Sequence, residues 1–215
     1  MFHAGGRLKL KPYLGQTELW PKRGRVILAQ YDDETIVVYQ AYRKSIARAA
    51  VADGKLGGGG FRFDRMSWIK TNFMWMMYRS GWAAKADQEH VLAIWIDRSG
   101  FDRILADAVH AKFVPELYPS QAAWQAMLKS SEVRLQWDPD RTPRGDKLER
   151  RAIQLGLGAG TLRRFASEWI RHIEDITPLV KEQAQSIEEP EFLFSPAEKA
   201  YPVTDREVAI RLLID

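Results

Sequence analysis

The segment from Arg62 to Trp82, RFDRMSWIKTNFMWMMYRSGW, combines aromatic, thioether and basic side chains. It holds three of the eight Trp and four of the six Met in the chain. Aromatic rings stack on nucleotide bases or a nicotinamide ring, and Lys and Arg bind phosphate. The segment is therefore a candidate pocket wall, and plain core packing is the competing interpretation. The stacking candidates are Trp68, Trp75 and Tyr78, and the phosphate-binding candidates are Arg65, Lys70 and Arg79.

A candidate acid stands at the head of the segment EVRLQW. Val133, Leu135 and Trp137 alternate with polar residues, so they face one side of a strand and Glu132 faces the other. A carboxylate beside a ribose stabilises the oxocarbenium-like centre that forms when the glycosidic bond of NAD is cleaved. Glu132 is thus a candidate catalytic residue. The alternative is an edge-strand residue that is solvated or paired with Arg134.

Other polar residues allow similar pairs of interpretations. Arg79 suits bidentate binding of a pyrophosphate, or a salt bridge at a helix end. Tyr39 and Tyr42 suit stacking on nicotinamide, or packing within a half-buried sheet. Asp138 and Asp140 flank Pro139, which favours a structural turn over a metal site.

Several classes of chemistry are excluded or disfavoured. The chain has no Cys, which excludes disulfides, thiolate metal sites and a cysteine nucleophile. Its four His are scattered without a zinc-binding motif, so we assign no metal site. The GGGG at 57–60 lacks the phosphate-loop pattern and is expected to be a mobile loop, and the alternative is a loop whose backbone approaches a ligand closely. Without a signal peptide or a long apolar run, the protein is expected to be cytoplasmic, with no membrane partner.

The charge distribution is asymmetric. The net charge is +4, but residues 1–85 hold 15 Lys and Arg against 6 Asp and Glu. Such a basic half favours an anionic ligand such as a nucleic acid or a dinucleotide. A soluble surface of mixed sign remains the alternative.

The elements that must position these residues are both strands and helices. Strands are predicted over residues 25–31, 35–40, 91–96, 132–137 and 151–158. Helices are predicted from Arg43 to about Gly54, through the Arg62–Trp82 segment, after Ser99, and from Thr161 to Ile173. Residues 1–24 are expected to be a loose basic arm, and the acidic, Pro-containing tail 174–215 to wrap the surface. The pattern predicts one α+β domain over 25–205, with a mixed, mostly antiparallel sheet and flanking helices.

Long motifs give the chain a family resemblance. YDDETIVVYQAYR, DRMSWIKTNFMWMMYRSGW, VLAIWI, SEVRLQWDPDR and IEDITPLV together resemble the domain-of-unknown-function family numbered 4291. The likeness extends over roughly residues 23 to 205. The family name implies no activity.

The order of these motifs is also similar to that of DarT-type ADP-ribosyltransferases, which use NAD to modify a nucleic-acid base or a protein. FMWMMYR and SEVRL stand where that family has an aromatic-Tyr-Arg stretch and a Glu-led strand. The resemblance implies an ADP-ribosyltransferase-like fold, NAD as substrate and Glu132 as the catalytic glutamate. It also gives Tyr39 or Arg43 the role of the polar residue on the family's first strand. The proline of the family's stretch is absent.

Two functions follow as hypotheses. The first is an NAD-dependent ADP-ribosyltransferase with a nucleotide or nucleic-acid acceptor. The second is a non-enzymatic module that binds single-stranded nucleic acid through interleaved aromatic and basic residues. A deep pocket that binds NAD would favour the first, and an open platform the second.

Overall fold

A computed structural model describes residues 8–215. Its strands are β1 (Leu10–Pro12), β2 (Leu28–Ala29), β3 (Thr35–Tyr42), β4 (Ser67–Lys70), β5 (His90–Asp97), β6 (Ala108–His110), β7 (Val133–Arg141), β8 (Lys147–Leu157), β9 (Ile170–Asp175), β10 (Phe194–Pro196) and β11 (Lys199–Ala200). Its α-helices are α1 (Tyr13–Leu19), α2 (Lys44–Asp53), α3 (Phe73–Ser80), α4 (Arg98–Asp107), α5 (Gln121–Ser130), α6 (Ala159–Arg164), α7 (Thr177–Gln183) and α8 (Arg206–Leu212).

Seven strands form the central sheet, in the order β6-β7-β8-β4-β3-β5-β9. Every neighbouring pair is antiparallel except β6 and β7, which are parallel. The sheet is mixed and mostly antiparallel, and helices flank it, so the predicted α+β class is confirmed.

The two faces of the sheet carry two apolar clusters. Along β3, Ile36 and Val38 enter a cluster with side chains of α2, α4 and α8, whereas Val37 and Tyr39 enter a second cluster with α1, α3 and α7. This alternation follows from the two-residue period of a strand. Both faces of β3 are therefore buried.

The expectation of one helix through the Arg62–Trp82 segment is wrong. The segment forms β4 and then α3, and Asn72 separates them by accepting a hydrogen bond from the Trp75 amide with its side chain. Gly81 ends α3 in a left-handed conformation with φ of 57°. A side-chain cap and a left-handed glycine are ordinary start and stop signals of a helix.

The helix predicted from Thr161 to Ile173 is also shorter than expected. It comprises α6 and a π-helical turn over Phe165–Trp169, after which β9 begins at the sheet edge. Ile170 and Ile173 are buried, but as residues of a strand.

The two ends of the described chain pack together. β1 pairs with β10 and β2 with β11, so residues 8–20 are not a loose arm; residues 1–7 of the predicted arm lie outside the described part. The tail does not merely wrap the surface, because it contributes the paired strands β10 and β11 and because Leu193 and Leu212 are fully buried. No helix among residues 8–215 is long and apolar enough to cross a membrane.

Candidate functional site

The central sheet splits between β3 and β4. The register of these two strands, within the described chain, consists of the single pair Tyr39 and Lys70. On its other side β3 stays paired with β5 as far as Tyr42, and β4 stays paired with β8 back to Ser67. The strands therefore diverge from the Tyr39–Lys70 pair.

The side chain of Gln40 crosses the narrow end of this split. Its Nε2 donates to Ser67 Oγ at 2.7 Å and to the Trp68 carbonyl at 3.2 Å. The Tyr42 hydroxyl lies 3.0 Å from the same Ser67 Oγ. These bonds tie the diverging strands by side chains instead of by a backbone ladder.

A cavity of about 460 Å³ occupies the split. Five of its lining side chains are basic and one, Asp87, is acidic. Tyr42, Phe61 and Trp68 add aromatic surface. The basic side chains are Arg43, Arg62, Arg65, Lys70 and Arg79.

Four of the eight predicted site residues line this cavity: Arg43, Trp68, Lys70 and Arg79. They come from three elements, since Arg43 precedes α2, Trp68 and Lys70 lie on β4, and Arg79 is in the last turn of α3. Arg79 also donates to Gln88 Oε1, which positions its guanidinium at the cavity wall.

Lys70 is the most buried basic group of the cavity, at 7 % exposure. Its Nζ donates to the Trp68 carbonyl at 3.1 Å and lies 5.4 Å from the centre of the Trp75 ring. Burial, with a smaller effect of the Arg79 charge, lowers the pKa of Lys70 to about 7, against an opposing effect of Asp138. The ammonium form is therefore only half populated near neutral pH.

Tyr39 and Trp75 are placed next to the cavity but do not line it. Tyr39 is fully buried and packs edge-to-face on Phe73, with 5.7 Å between ring centres. Burial raises its pKa well above the ordinary value. Trp75 is 6 % exposed. Both rings have the packing role that was the alternative for them.

Tyr78 lies on the outer side of α3 and is 41 % exposed. The Arg141 guanidinium stacks on its ring at 3.8 Å, and a Cβ on Gly145 would lie 3.3 Å from the ring. A residue of the protein itself thus occupies the ring face that we had assigned to a ligand.

Glu132 binds the start of α6. One carboxylate oxygen accepts from the Thr161 amide at 2.7 Å and from the Thr161 hydroxyl at 2.8 Å, and the other accepts from the Gly160 amide at 3.2 Å. The hydroxyl bond, followed by these amide bonds, lowers the pKa of Glu132. Glu132 does not line the cavity, and it is neither paired with Arg134 nor simply solvated.

Gly60, the last residue of the glycine run, lines the cavity. Gly59 has φ of 64°, and a Cβ there would lie 2.1 Å from the Ser45 carbonyl oxygen. A Cβ on Gly60 would lie 2.4 Å from Arg43 Nη2. The run therefore packs against the first turn of α2, where close contact requires residues without side chains.

A second polar cluster, below α3, is internal. Asp140 forms a buried ion pair with Arg150, and Glu198 accepts from the Phe73 amide at 2.6 Å. Asp138 accepts from Gln154 at 2.6 Å inside β7, so this region is a strand and not the expected turn. The bonds of Asp140 and Glu198 are all to the protein's own groups.

Comparison with known proteins identifies the family to which the chain is similar. Residues 26–201 match the family model described as domain of unknown function DUF4291. No curated protein matches the chain.

Proposed function

The chain belongs to the DUF4291 family, and we propose that it binds NAD in the split-sheet cavity and transfers ADP-ribose to a nucleotide or nucleic-acid acceptor. The observation that carries the proposal is the cavity itself, with five basic side chains against one acidic side chain.

The charge of the cavity favours a ligand with more than one phosphate group. Arg43 precedes α2, Arg65 precedes β4 and Arg79 is in the last turn of α3, so the three charges come from separate parts of the chain. Guanidinium groups bind phosphate oxygens with two parallel hydrogen bonds. A pyrophosphate offers enough oxygens for more than one of them.

The size and remaining surface of the cavity also fit a dinucleotide. Its volume of about 460 Å³ lies within the range of roughly 300 to 1,000 Å³ usual for small-molecule sites. Trp68, Tyr42 and Phe61 supply apolar surface for a base or a nicotinamide ring.

Transfer of ADP-ribose breaks the bond between nicotinamide and the ribose carbon, and nicotinamide leaves with the electron pair. The acceptor then bonds to that carbon and loses a proton to solvent. A carboxylate stabilises the positive charge that develops on the ribose. We give this role to Asp87, which lines the cavity, in place of Glu132. Asp87 has φ of 61°, a conformation that is uncommon for residues other than glycine and that clusters at functional sites.

The nucleic-acid-binding alternative has less support from the geometry. Phe73 and Trp75 of the aromatic segment are buried, and the exposed Tyr78 is already stacked by Arg141. A stacking platform needs open ring faces in series. The basic cavity is nevertheless able to attract single-stranded phosphates, which makes an oligonucleotide a necessary arm of the binding test.

Binding is tested by thermal unfolding with NAD, ADP-ribose, ATP and a short single-stranded oligonucleotide. NAD at a hundred times its Kd is expected to stabilise the protein by about 2.7 kcal/mol, a rise in Tm of roughly 5 to 10 °C. Arg79→Ala should reduce this shift, whereas Arg206→Ala, an exposed arginine on α8, should leave it unchanged. A shift with the oligonucleotide alone, falling steeply with salt, would support the alternative function.

Transfer is tested by nicotinamide release and by labelling of nucleotide, DNA and RNA acceptors. Asp87→Asn is expected to lower turnover about a hundredfold or more while NAD still stabilises the protein. Glu132→Gln should retain turnover. Normal turnover in Asp87→Asn would show that Asp87 has no catalytic role. If the wild type released no nicotinamide, the proposed transfer of ADP-ribose would be wrong.

A further inference from the structure

Lys70 forms no ion pair within the described chain, although it is almost fully buried. The ion pairs of the described chain do not include it, and its Nζ donates to one group, the Trp68 carbonyl. A buried ammonium without a counter-ion is costly, and such a lysine tends to become a neutral amine. Arg150, which is equally buried, is paired with Asp140 in the same protein.

Lys70 is one of the residues that line the cavity. Lys70 pairs with Tyr39 where the sheet begins to split, so its side chain stands at the narrow end of the space. Tyr39 is sealed in the core, whereas Lys70 lines the cavity wall. The bond to the Trp68 carbonyl and the Trp75 ring hold Nζ in one place.

The surroundings of Lys70 keep its amine available as a nucleophile. The charged groups that face it are Arg79 from α3 and Asp138 from β7, and burial outweighs both, giving a pKa of about 7. Arg43 and Arg65 add positive charge at the same cavity. A lysine desolvated next to other cations is the usual form of a nucleophilic lysine.

We propose that Lys70 forms an imine with the carbonyl carbon of a phosphorylated sugar or other phosphorylated carbonyl compound bound in the cavity. The arginines of the cavity hold the phosphate, which brings the carbonyl carbon to Nζ at the narrow end. The amine lone pair attacks that carbon, and the carbonyl oxygen leaves as water with the two amine protons. The product is a carbon–nitrogen double bond, with no oxidant or reductant consumed.

This inference uses the same cavity as NAD but does not depend on NAD as the ligand. The cavity would be a site for covalent capture of a carbonyl group, in addition to or instead of a site for glycosidic transfer. Binding of NAD and imine formation are measured in separate experiments, so a negative result in one does not contradict the other proposal.

The experiment is reductive trapping with D-ribose 5-phosphate and sodium cyanoborohydride, followed by peptide mapping with mass spectrometry. Hydride adds to the imine carbon and a proton to the nitrogen, which leaves a stable secondary amine. At neutral pH about half of Lys70 is neutral, against roughly one in several thousand for an ordinary exposed lysine, so we expect Lys70 to be labelled at least about tenfold faster.

Four comparisons make the result specific. Lys70→Arg should abolish the fast labelling, and Lys147→Arg, at an exposed lysine on β8, should not change it. Ribose without phosphate should label Lys70 slowly, and inorganic phosphate should compete with ribose 5-phosphate. A thermal unfolding curve checks that Lys70→Arg is folded. If this variant does not fold, the peptide map of the wild-type protein still shows whether Lys70 is labelled faster than the exposed lysines.

Equal labelling of Lys70 and the exposed lysines would overturn the proposal. So would fast labelling of Lys70 that neither requires the phosphate group nor responds to inorganic phosphate, because the cavity arginines would then have no part in it.

Discussion

Tyr39 of β3 and Lys70 of β4 form the one pair at which the two parts of the central sheet meet within the described residues. Tyr39 is fully buried in the core, whereas Lys70 lines the cavity. A single pair of neighbouring residues thus separates the packed interior from the candidate site.

The burial of Lys70 makes stability depend on pH. Its pKa is about 7 in the folded protein and near 10.4 when unfolded, so the unfolded chain binds more protons between these values and stability rises with pH across them. Lys70→Met should therefore raise the free energy of unfolding most below pH 7, by about 2 to 4 kcal/mol, and little at pH 10. Urea unfolding at pH 6, 8 and 10 measures the difference.

The matched control for this measurement is Lys147→Met, at an exposed position on β8. It should change stability by no more than about 0.5 kcal/mol at each pH. A gain in Lys70→Met that stays constant from pH 6 to pH 10 would show that burial does not shift the titration of Lys70.

Glu132 is expected to act on stability through α6. Glu132→Ala leaves amides of the first turn of α6 without their acceptor, which should cost about 1 kcal/mol at pH 7. Because the pKa of Glu132 is lowered in the folded state, this stabilisation is present above roughly pH 4 and is lost as the pH falls further. Denaturant unfolding at pH 7 and pH 3 tests both parts, with exposed Glu149→Ala as the control.

Two glycines with nearly the same positive φ separate conformational strain from steric overlap. Gly54 and Gly59 have φ of 63° and 64°, but a Cβ on Gly54 meets nothing within 4 Å, whereas one on Gly59 lies 2.1 Å from the Ser45 carbonyl oxygen. Gly54→Ala should cost about 1 kcal/mol from the left-handed conformation alone. Gly59→Ala should cost at least about 2 kcal/mol more, because the backbone itself must move. Equal losses in the two variants would mean that the loop does not pack on α2.

Glu198 should make the protein less stable as pH rises. Burial first, and the nearby Asp140 charge, raise the pKa of Glu198 well above its ordinary value. The folded state then binds a proton that the unfolded state releases, so stability falls above the ordinary pKa of Glu. Glu198→Gln keeps an acceptor for the Phe73 amide without this titration, and should be more stable than the wild type by about 1 to 3 kcal/mol at pH 8.

At pH 5 the same substitution should bring a much smaller gain. Exposed Glu149→Gln serves as the control and should be neutral at both pH values. If Glu198→Gln destabilises the protein equally at pH 5 and pH 8, the carboxyl group is ionised in the folded state.

Local patterns predicted the strands with a clear period or a continuous apolar run. β3, β5 and β7 were identified in this way, since Val133 and Leu135 alternate with polar residues and 91–96 is apolar throughout. β4 was missed because it has four residues and its neighbours Met66 and Phe73 complete a helical stripe. The cap at Asn72 was the local sign of the boundary.

The sequence predicted those residues of the candidate site that lie close together along the chain. Trp68, Lys70 and Arg79 lie close in sequence, so one basic and aromatic segment was enough to identify them. The alternation of the EVRLQW segment placed Glu132 on the strand, but β7 begins at Val133 and Glu132 lies just before it. Its carboxylate instead binds the start of α6 at Thr161, 29 residues further along the chain, and the local pattern of residues does not reveal a contact between such distant positions.

The pairing of the two ends of the described chain affects any fragment that is limited to residues 26–201, the part that matches the family model. Such a fragment would lose α8, whose Leu212 is fully buried, and would leave β10 without its partner β1. Loss of the buried side chains of α8 lowers the stability of the fold, and a bare strand edge promotes self-association. The smallest piece that folds as a unit therefore extends beyond the family boundaries on both sides.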